Sequence, residues 1–345
     1  MRALGNALGR HLGLTLAVLL FLLFYGVYNL FHPKGFTTAV LIQNTNESFA
    51  LVMAAMAQTV PVLAGGLDLS VGAVMTMVNC LASYLLAGSP AAMLGGVLVC
   101  LAAGALAGFL NGCVVVYGRL QPIVATLATG AVYLGVALWL RPTPGGAVDQ
   151  DLAWALTNDL SELADTYGWL DGETAWFQAI AWLPVPLLLM ILVVLLVWLP
   201  FRETVTGRTV YAVGSSEPAA FMSGLAIDRA RLAAFTLAGF LAGIGGLYLA
   251  IQTSSGNADV PQAGAYTLNS IAAVVIGGTS LLGGSGGAAG SLVGALVIRA
   301  ISFNFRIFDV PPLVQPLFEG IVLLAAVSLG AGRVFRVKNR LQLMT

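Results

Sequence analysis

The sequence predicts an all-α protein, a polytopic transmembrane bundle of about ten helices, and three observations support that class. Of the 345 residues 59% are hydrophobic and 9% charged, and the mean hydropathy of +0.92 lies far above that of a water-soluble domain. The apolar residues gather into runs near the length a bilayer demands, since about 20 apolar residues cross a hydrocarbon core about 30 Å thick. Ten crossings use roughly 200 residues, close to the hydrophobic share of this chain. Little is left for a soluble ATPase, kinase or nucleic-acid domain, and a formal net charge of zero offers no basic surface to DNA or RNA.

The first run, 12–31, follows Arg2 and Arg10 as a signal peptide would, yet it is too long and no small-x-small site follows it, so a retained helix is expected. Runs at 48–64 and 268–282 are short and run into the pairs Gly65-Gly66 and Gly277-Gly278, which predicts broken or re-entrant helices there. Between them lie 69–87, 92–116, 122–140, 180–200 and 230–251, and after them 288–305 and 311–329. Gly104, Gly108 and Gly112 recur at i+4, as do Gly286, Gly290 and Gly294, and Gly239 pairs with Gly243; these smooth ridges read as helix contacts.

Basic residues set the expected orientation. With the N-terminus cytoplasmic, Arg2, Arg10, Arg119, Arg202, Arg208, Arg229, Arg231, Arg333, Arg336, Lys338 and Arg340 all fall on the cytoplasmic side, and chiefly Lys34, Arg141 and Arg306 fall outside. An even number of helices puts both termini in the cytoplasm. Residues 1–345 then form one membrane domain with two sizeable loops, an acidic periplasmic one at 141–179 and a cytoplasmic one at 201–228. The outer loop holds Asp149, Asp151, Asp159, Glu162, Asp165, Asp171 and Glu173, with Leu152, Leu156, Leu160, Leu163 and Tyr167 spaced as one amphipathic helix.

Catalytic readings fail on missing partners. Gly283-Gly284-Ser285-Gly286-Gly287 fits G-x-S-x-G, but the only histidines are His11 and His32, at the two ends of the first helix, with no carboxylate pattern to orient them. The only lysines are Lys34 and Lys338, so no phosphate loop of the G-x-x-x-x-G-K type exists. No cluster has metal-ligand spacing, and Cys80, Cys100 and Cys113 lie inside apolar runs as small buried side chains. The sequence therefore reads as a non-enzyme without a metal or cofactor of its own.

The cytoplasmic loop is the most informative polar stretch. Ser216 suits an N-cap, Glu217 and Pro218 a first turn, and Gly224 a left-handed stop, which predicts a short helix at 216–224. Ala219 and Ala220 keep one side thin while Phe221 and Met222 supply apolar anchors, a pattern equally suited to docking in a protein cleft and to lying on the membrane surface. Gly207-Arg208-Thr209-Val210-Tyr211-Ala212-Val213-Gly214, followed by Glu217, Ala219-Ala220 and Ser223-Gly224, resembles the coupling loop of permease subunits in ribose-type ABC sugar importers. Gly65-Gly66-Leu67-Asp68-Leu69-Ser70-Val71-Gly72, Gln121-Pro122-Ile123-Val124-Ala125-Thr126-Leu127 and the glycine-rich stretch 271–284 resemble three further segments of that family in the same order. Ser215-Ser216, Thr206 and Thr267 depart from its usual residues. Branched-chain amino acid and nucleoside permeases share the broader superfamily.

The resemblance implies a type II ABC importer permease in the bacterial inner membrane, paired with a second copy or a sister permease. ATPase subunits that bind the ATP lie below it and a periplasmic sugar-binding protein above. Gly207, Arg208, Gly214, Ser216, Glu217, Ala219, Ala220, Phe221, Met222 and Gly224 are the expected ATPase-coupling residues. A neutral sugar calls for hydrogen-bonding groups, and Gln58, Asp68, Ser70, Asn79, Asn111, Thr126, Asn269 and Asn304 are the expected path residues, with Gln315 a further polar group. Asp68 has a second reading as a cap on the N–H groups of Ser70 and Val71, which the spacing favours. A secondary transporter would need mid-membrane ionisable residues, and only Asp68, Arg299 and Glu319 come near that.

Overall fold

A computed structural model describes residues 12–168 and 175–311 and six positions between 314 and 324. Among the described residues the chain is helical, with two isolated antiparallel bridges, Gly145 to Gly256 and Asp159 to Pro184. The helices are α1 (Leu12–Phe31), α2 (Thr38–Leu63), α3 (Val71–Leu85), α4 (Pro90–Val116), α5 (Pro122–Leu140), α6 (Gln150–Thr157) and α7 (Leu160–Tyr167). They continue as α8 (Ala175–Ile180), α9 (Val185–Glu203), α10 (Val205–Ser215), α11 (Glu217–Met222), α12 (Ile227–Thr253), α13 (Val260–Ile276) and α14 (Ala288–Ile307). Among the described residues six helices, α1, α4, α5, α9, α12 and α14, are long and apolar enough to cross a membrane, while α3 and α13 are shorter. The tenth expected run, 311–329, lies largely outside the described residues, as do Gln315, Glu319, Asp171 and Glu173.

Starts are written in the sequence. Thr37, Ser89, Asp149, Asp159, Thr204, Ser216 and Asp259 each accept a backbone N–H of the turn they cap, and Pro90 and Pro122 occupy first turns where a missing N–H costs nothing. Two expectations change. The helix expected at 48–64 is neither short nor broken: α2 runs unbroken for 26 residues from Thr38, with Pro61 inside its last turn. Its early polar residues escape a hydropathy reading because other helices satisfy them. Tyr28 donates to Asn44 Oδ1 at 3.3 Å, Tyr248 donates to Asn46 Oδ1, and Asn46 Nδ2 donates to the Thr157 carbonyl at 2.7 Å. The single amphipathic helix of the outer loop is two, because the first ends at Asn158, in extended conformation, and Asp159 caps the next.

Helix α2 is the core of the bundle, buried almost continuously from Asn44 to Leu63. Around it, glycines bring backbones together. A Cβ at Gly239 of α12 would lie 2.6 Å from the Gly108 nitrogen of α4, and one at Gly246 would strike the Met75 backbone of α3. Helices α13 and α14 form a similar pair, with Gly277 against Gly290 and Gly294 against Ala273. On the side away from α10 and α11, Arg141 stacks 3.6 Å over the Tyr84 ring and donates to Ser83 Oγ and the Ser83 carbonyl. Asn79 Oδ1 accepts the Asn257 N–H at 2.8 Å beside the Gly145 to Gly256 bridge, which closes the same end of the bundle.

Candidate functional site

The 201–228 stretch is more helical than a loop: α10 occupies Val205–Ser215 and α11 follows at once. Ser216 ends the first and caps the second, its Oγ accepting the Ala219 N–H at 3.4 Å. Pro218 sits in the first turn, and Gly224 at φ +71° stops α11 while the Leu225 N–H reaches back to the Ala220 carbonyl at 3.1 Å. Phe221 and Met222 point into solvent, 71% and 85% exposed, and Ala219 is exposed beside them. Ala220 is buried at 3%, so the thin face consists of Ala219 alone. Arg208 is exposed and pairs with Glu203 at 3.2 Å, and Glu217 pairs with Arg231 at the start of α12 at 2.6 Å.

Gly207 and Gly214 serve packing. A Cβ at Gly207 would strike the Phe201 carbonyl, and one at Gly214 would occupy the position of the Leu63 carbonyl oxygen and lie 2.5 Å from the Gly284 nitrogen. Gly214 therefore seats α10 against the end of α2 and the loop between α13 and α14, and Gly207 packs its start on the end of α9. Tyr211 adds a hydrogen bond to the Gly286 carbonyl at 3.0 Å. Beside Arg231, a cavity of about 670 Å³ opens between Pro61, Gly66, Val115, Arg119, Pro122 and Phe235.

Five of the expected path residues converge in one buried cluster, and three do not. Asp68 follows the glycine turn at Gly65-Gly66, and its Oδ1 accepts from the Ser70 N–H at 2.8 Å and from Ser70 Oγ at 2.6 Å. It spans the turn before α3, whose N-cap is Ser70, and the hydrogen bond expected from the Val71 N–H is replaced by the one from the Ser70 hydroxyl. Ser70 Oγ in turn accepts from Asn111 Nδ2 of α4 at 2.7 Å, and Asn111 Oδ1 accepts from the Tyr133 hydroxyl of α5 at 3.0 Å. Thr126 Oγ1 accepts the Leu69 N–H at 2.9 Å, and the Gln58 amide brackets the Asp68 backbone, donating to its carbonyl at 2.7 Å and accepting its N–H at 3.2 Å. None of the five is more than 2% exposed. Their polar groups are spent on one another, which joins α2, α3, α4 and α5. Asn79 holds the turn after α12, Asn304 Nδ2 donates to the Phe24 carbonyl of α1 at 2.8 Å, and Asn269 lies half-buried on α13.

One charged cluster escaped the sequence reading. Arg306 grips the Glu47 carboxylate with both terminal nitrogens at 2.9 and 2.8 Å, and Arg299, two turns earlier on α14, donates to the Glu47 carbonyl. The i, i+7 spacing of the two arginines places them on one face and was the available signal. Their acid sits nearly 260 residues away in the chain, which no local pattern reveals.

The profile of a family described as "Branched-chain amino acid transport system / permease component" matches residues 40–327. The chain belongs to this permease family. The ribose import permease protein RbsC of Bacillus subtilis is 33% identical over 276 residues, covering 80% of this permease and 79% of the relative. The D-allose transport system permease protein AlsC of Escherichia coli is 31% identical over 310 residues, 88% and 87% of the two chains. The autoinducer 2 import system permease protein LsrD of Escherichia coli is 26% identical over 322 residues, 92% and 91%. No solved structure matches the permease. Family and helices together make it a multi-pass membrane protein and a transport subunit.

Proposed function

We propose that this permease is the membrane subunit of a bacterial inner-membrane importer for a monosaccharide, driven by partner ATPase subunits and fed by a periplasmic binding protein. Two copies, or this chain and a sister permease, enclose the path. The observation that carries the reading is α11: a capped, firmly seated helix that spends its two largest apolar side chains, Phe221 and Met222, on solvent. Such a tip is a docking element for a protein cleft. It faces the cytoplasm under the charge rule, where partner ATPase subunits bind and hydrolyse ATP. The names of the ribose and allose relatives favour a sugar, whereas the description of the family favours a branched-chain amino acid.

The deciding experiment reconstitutes the permease with candidate ATPase and binding-protein subunits from its own organism, and measures ATP-dependent uptake of D-ribose, D-allose and leucine. Uptake of a sugar is the expected result. Uptake of leucine alone moves the reading to amino acids, and uptake driven by a proton or sodium gradient without ATP overturns it.

A further inference from the structure

The cavity of about 670 Å³ beside Arg231 lies where three helices long enough to cross a membrane have their ends: α4 stops at Val116, α5 starts at Pro122 and α12 starts at Ile227. It therefore sits at the boundary between hydrocarbon and water. Its inner wall is apolar, with Pro61, Val115 and Phe235 buried there, and Gly65 and Gly66 leave the adjoining stretch of wall without side chains. Its exposed rim carries Arg119 and Asp228.

The rim has charge of both signs to offer. Arg231 is engaged by Glu217 at 2.6 Å, whereas Arg119 and Asp228 belong to no ion pair among the described residues. Arg119 stands in the short link between α4 and α5 at φ +51°, a left-handed conformation that side chains rarely adopt, and this turn sets it on the cavity. A guanidinium suits a phosphate, which it grips with two N–H groups, and a carboxylate suits a primary ammonium. The two together match a ligand that carries both groups. A purely anionic headgroup brings no positive charge to Asp228, and a trimethylammonium has no N–H to donate to it.

The surface below the rim suits acyl chains. Leu106, Leu110 and Tyr117 are all exposed and recur at i, i+4 and i+11 along α4, so an apolar stripe leads out of the membrane to Tyr117 on the cavity wall. A tyrosine at that level, with an apolar ring and a polar tip, belongs to the membrane boundary.

We propose that this cavity binds the phosphoethanolamine headgroup of a phospholipid, with the phosphate on Arg119, the ammonium on Asp228 and the acyl chains along the outer face of α4. The site is independent of the solute carried.

Native mass spectrometry tests it on the full chain, stripped of lipid in detergent and then given phosphatidylethanolamine, phosphatidylglycerol or phosphatidylcholine with identical acyl chains. Phosphatidylethanolamine is retained about tenfold better than either of the others, the ratio expected of one additional charge-assisted hydrogen bond. Arg119→Gln lowers its retention to the level of the other two, and Asp228→Asn removes the preference. Arg229→Gln, next to Asp228 but not on the cavity, leaves the preference intact. All three positions are exposed, and size-exclusion profiles check that the variants fold. Equal retention of the three lipids, or a preference that survives Arg119→Gln or Asp228→Asn, overturns the site. Loss of the preference in Arg229→Gln does so too, since it marks a diffuse effect of surface charge. O-phosphoethanolamine, which lacks acyl chains, separates a lipid from a free phosphate ester: it fails to displace the lipid at equal concentration, and displacement overturns the lipid assignment.

Discussion

Asp68 shows how much one buried carboxylate organises. It sits 2% exposed in the turn between α2 and α3, and Ser70 relays its demand for donors to Asn111 and Tyr133 on two other helices. Removing an inner member strands its neighbours without solvent to replace it, which costs more than the net worth of one bond. Asn111→Ala lowers stability by about 2 kcal/mol and Tyr133→Phe by about 1 kcal/mol, read as thermal unfolding in detergent. Asp68→Asn keeps an acceptor for the Ser70 N–H and stays closer to the parent than Asp68→Ala. A larger loss in Asp68→Asn than in Asp68→Ala overturns the capping account.

The coupling helix separates two alanines that the sequence treats alike. Ala219 is exposed and Ala220 is buried at 3%. Ala219→Arg therefore leaves the amount of folded permease unchanged and abolishes solute-stimulated ATP hydrolysis, whereas Ala220→Arg cuts the folded amount itself. Fluorescence-detected size exclusion beside an ATPase assay distinguishes them. Among the glycines, Gly239→Ala forces α12 from α4 and costs about 2 kcal/mol or more, since the Cβ meets backbone that cannot turn aside. Gly135→Ala in α5 meets nothing within 4 Å and is neutral or stabilising by up to about 1 kcal/mol. Their unfolding temperatures check the contrast.

Elements bounded by proline and a polar stop were legible: 122–140 was read to the residue because Pro122 opens it and Arg141 closes it. The cap and stop of α11 were legible for the same reason, since Ser216 and Gly224 act within a few residues of themselves. What escaped depends on distant partners. The polar start of α2 becomes helix because Tyr28 and Tyr248 complete Asn44 and Asn46, and Ala220 is buried because of where α11 folds back. The glycine ridges announced close contacts, but the pairing of Gly214 with Gly284 lies outside any periodic pattern.

Across the whole molecule charge is sorted. The end opposite α11 carries α6 and α7, where Asp151, Glu162 and Asp165 are exposed, while Asp159 is buried as the cap of α7. A partner with basic residues on its rim is drawn to such a surface faster than it is held there. With a Debye length of about 10 Å at about 0.1 M salt, added salt slows docking of the binding protein, and the triple change Asp151→Asn, Glu162→Gln, Asp165→Asn flattens that slope in nanodisc on-rate measurements. Equal slopes leave the acids as solvating groups only. Asp159→Asn is unsuited to this test because it alters the helix start.

Helix α3 has only 15 residues, about 22 Å at 1.5 Å each, too short to span about 30 Å of hydrocarbon. Its Met75 backbone lies against Gly246 of α12, and its Gly72 N–H donates to Thr267 of α13 at 3.0 Å. Both partners are translated long after α3 leaves the ribosome. Thr76 and Ser83 bond to the Gly72 and Cys80 carbonyls of α3 itself, whereas Asn79 finds its partner in the Asn257 N–H only beyond α12. The seat of α3 in the bundle therefore depends on the second half of the chain.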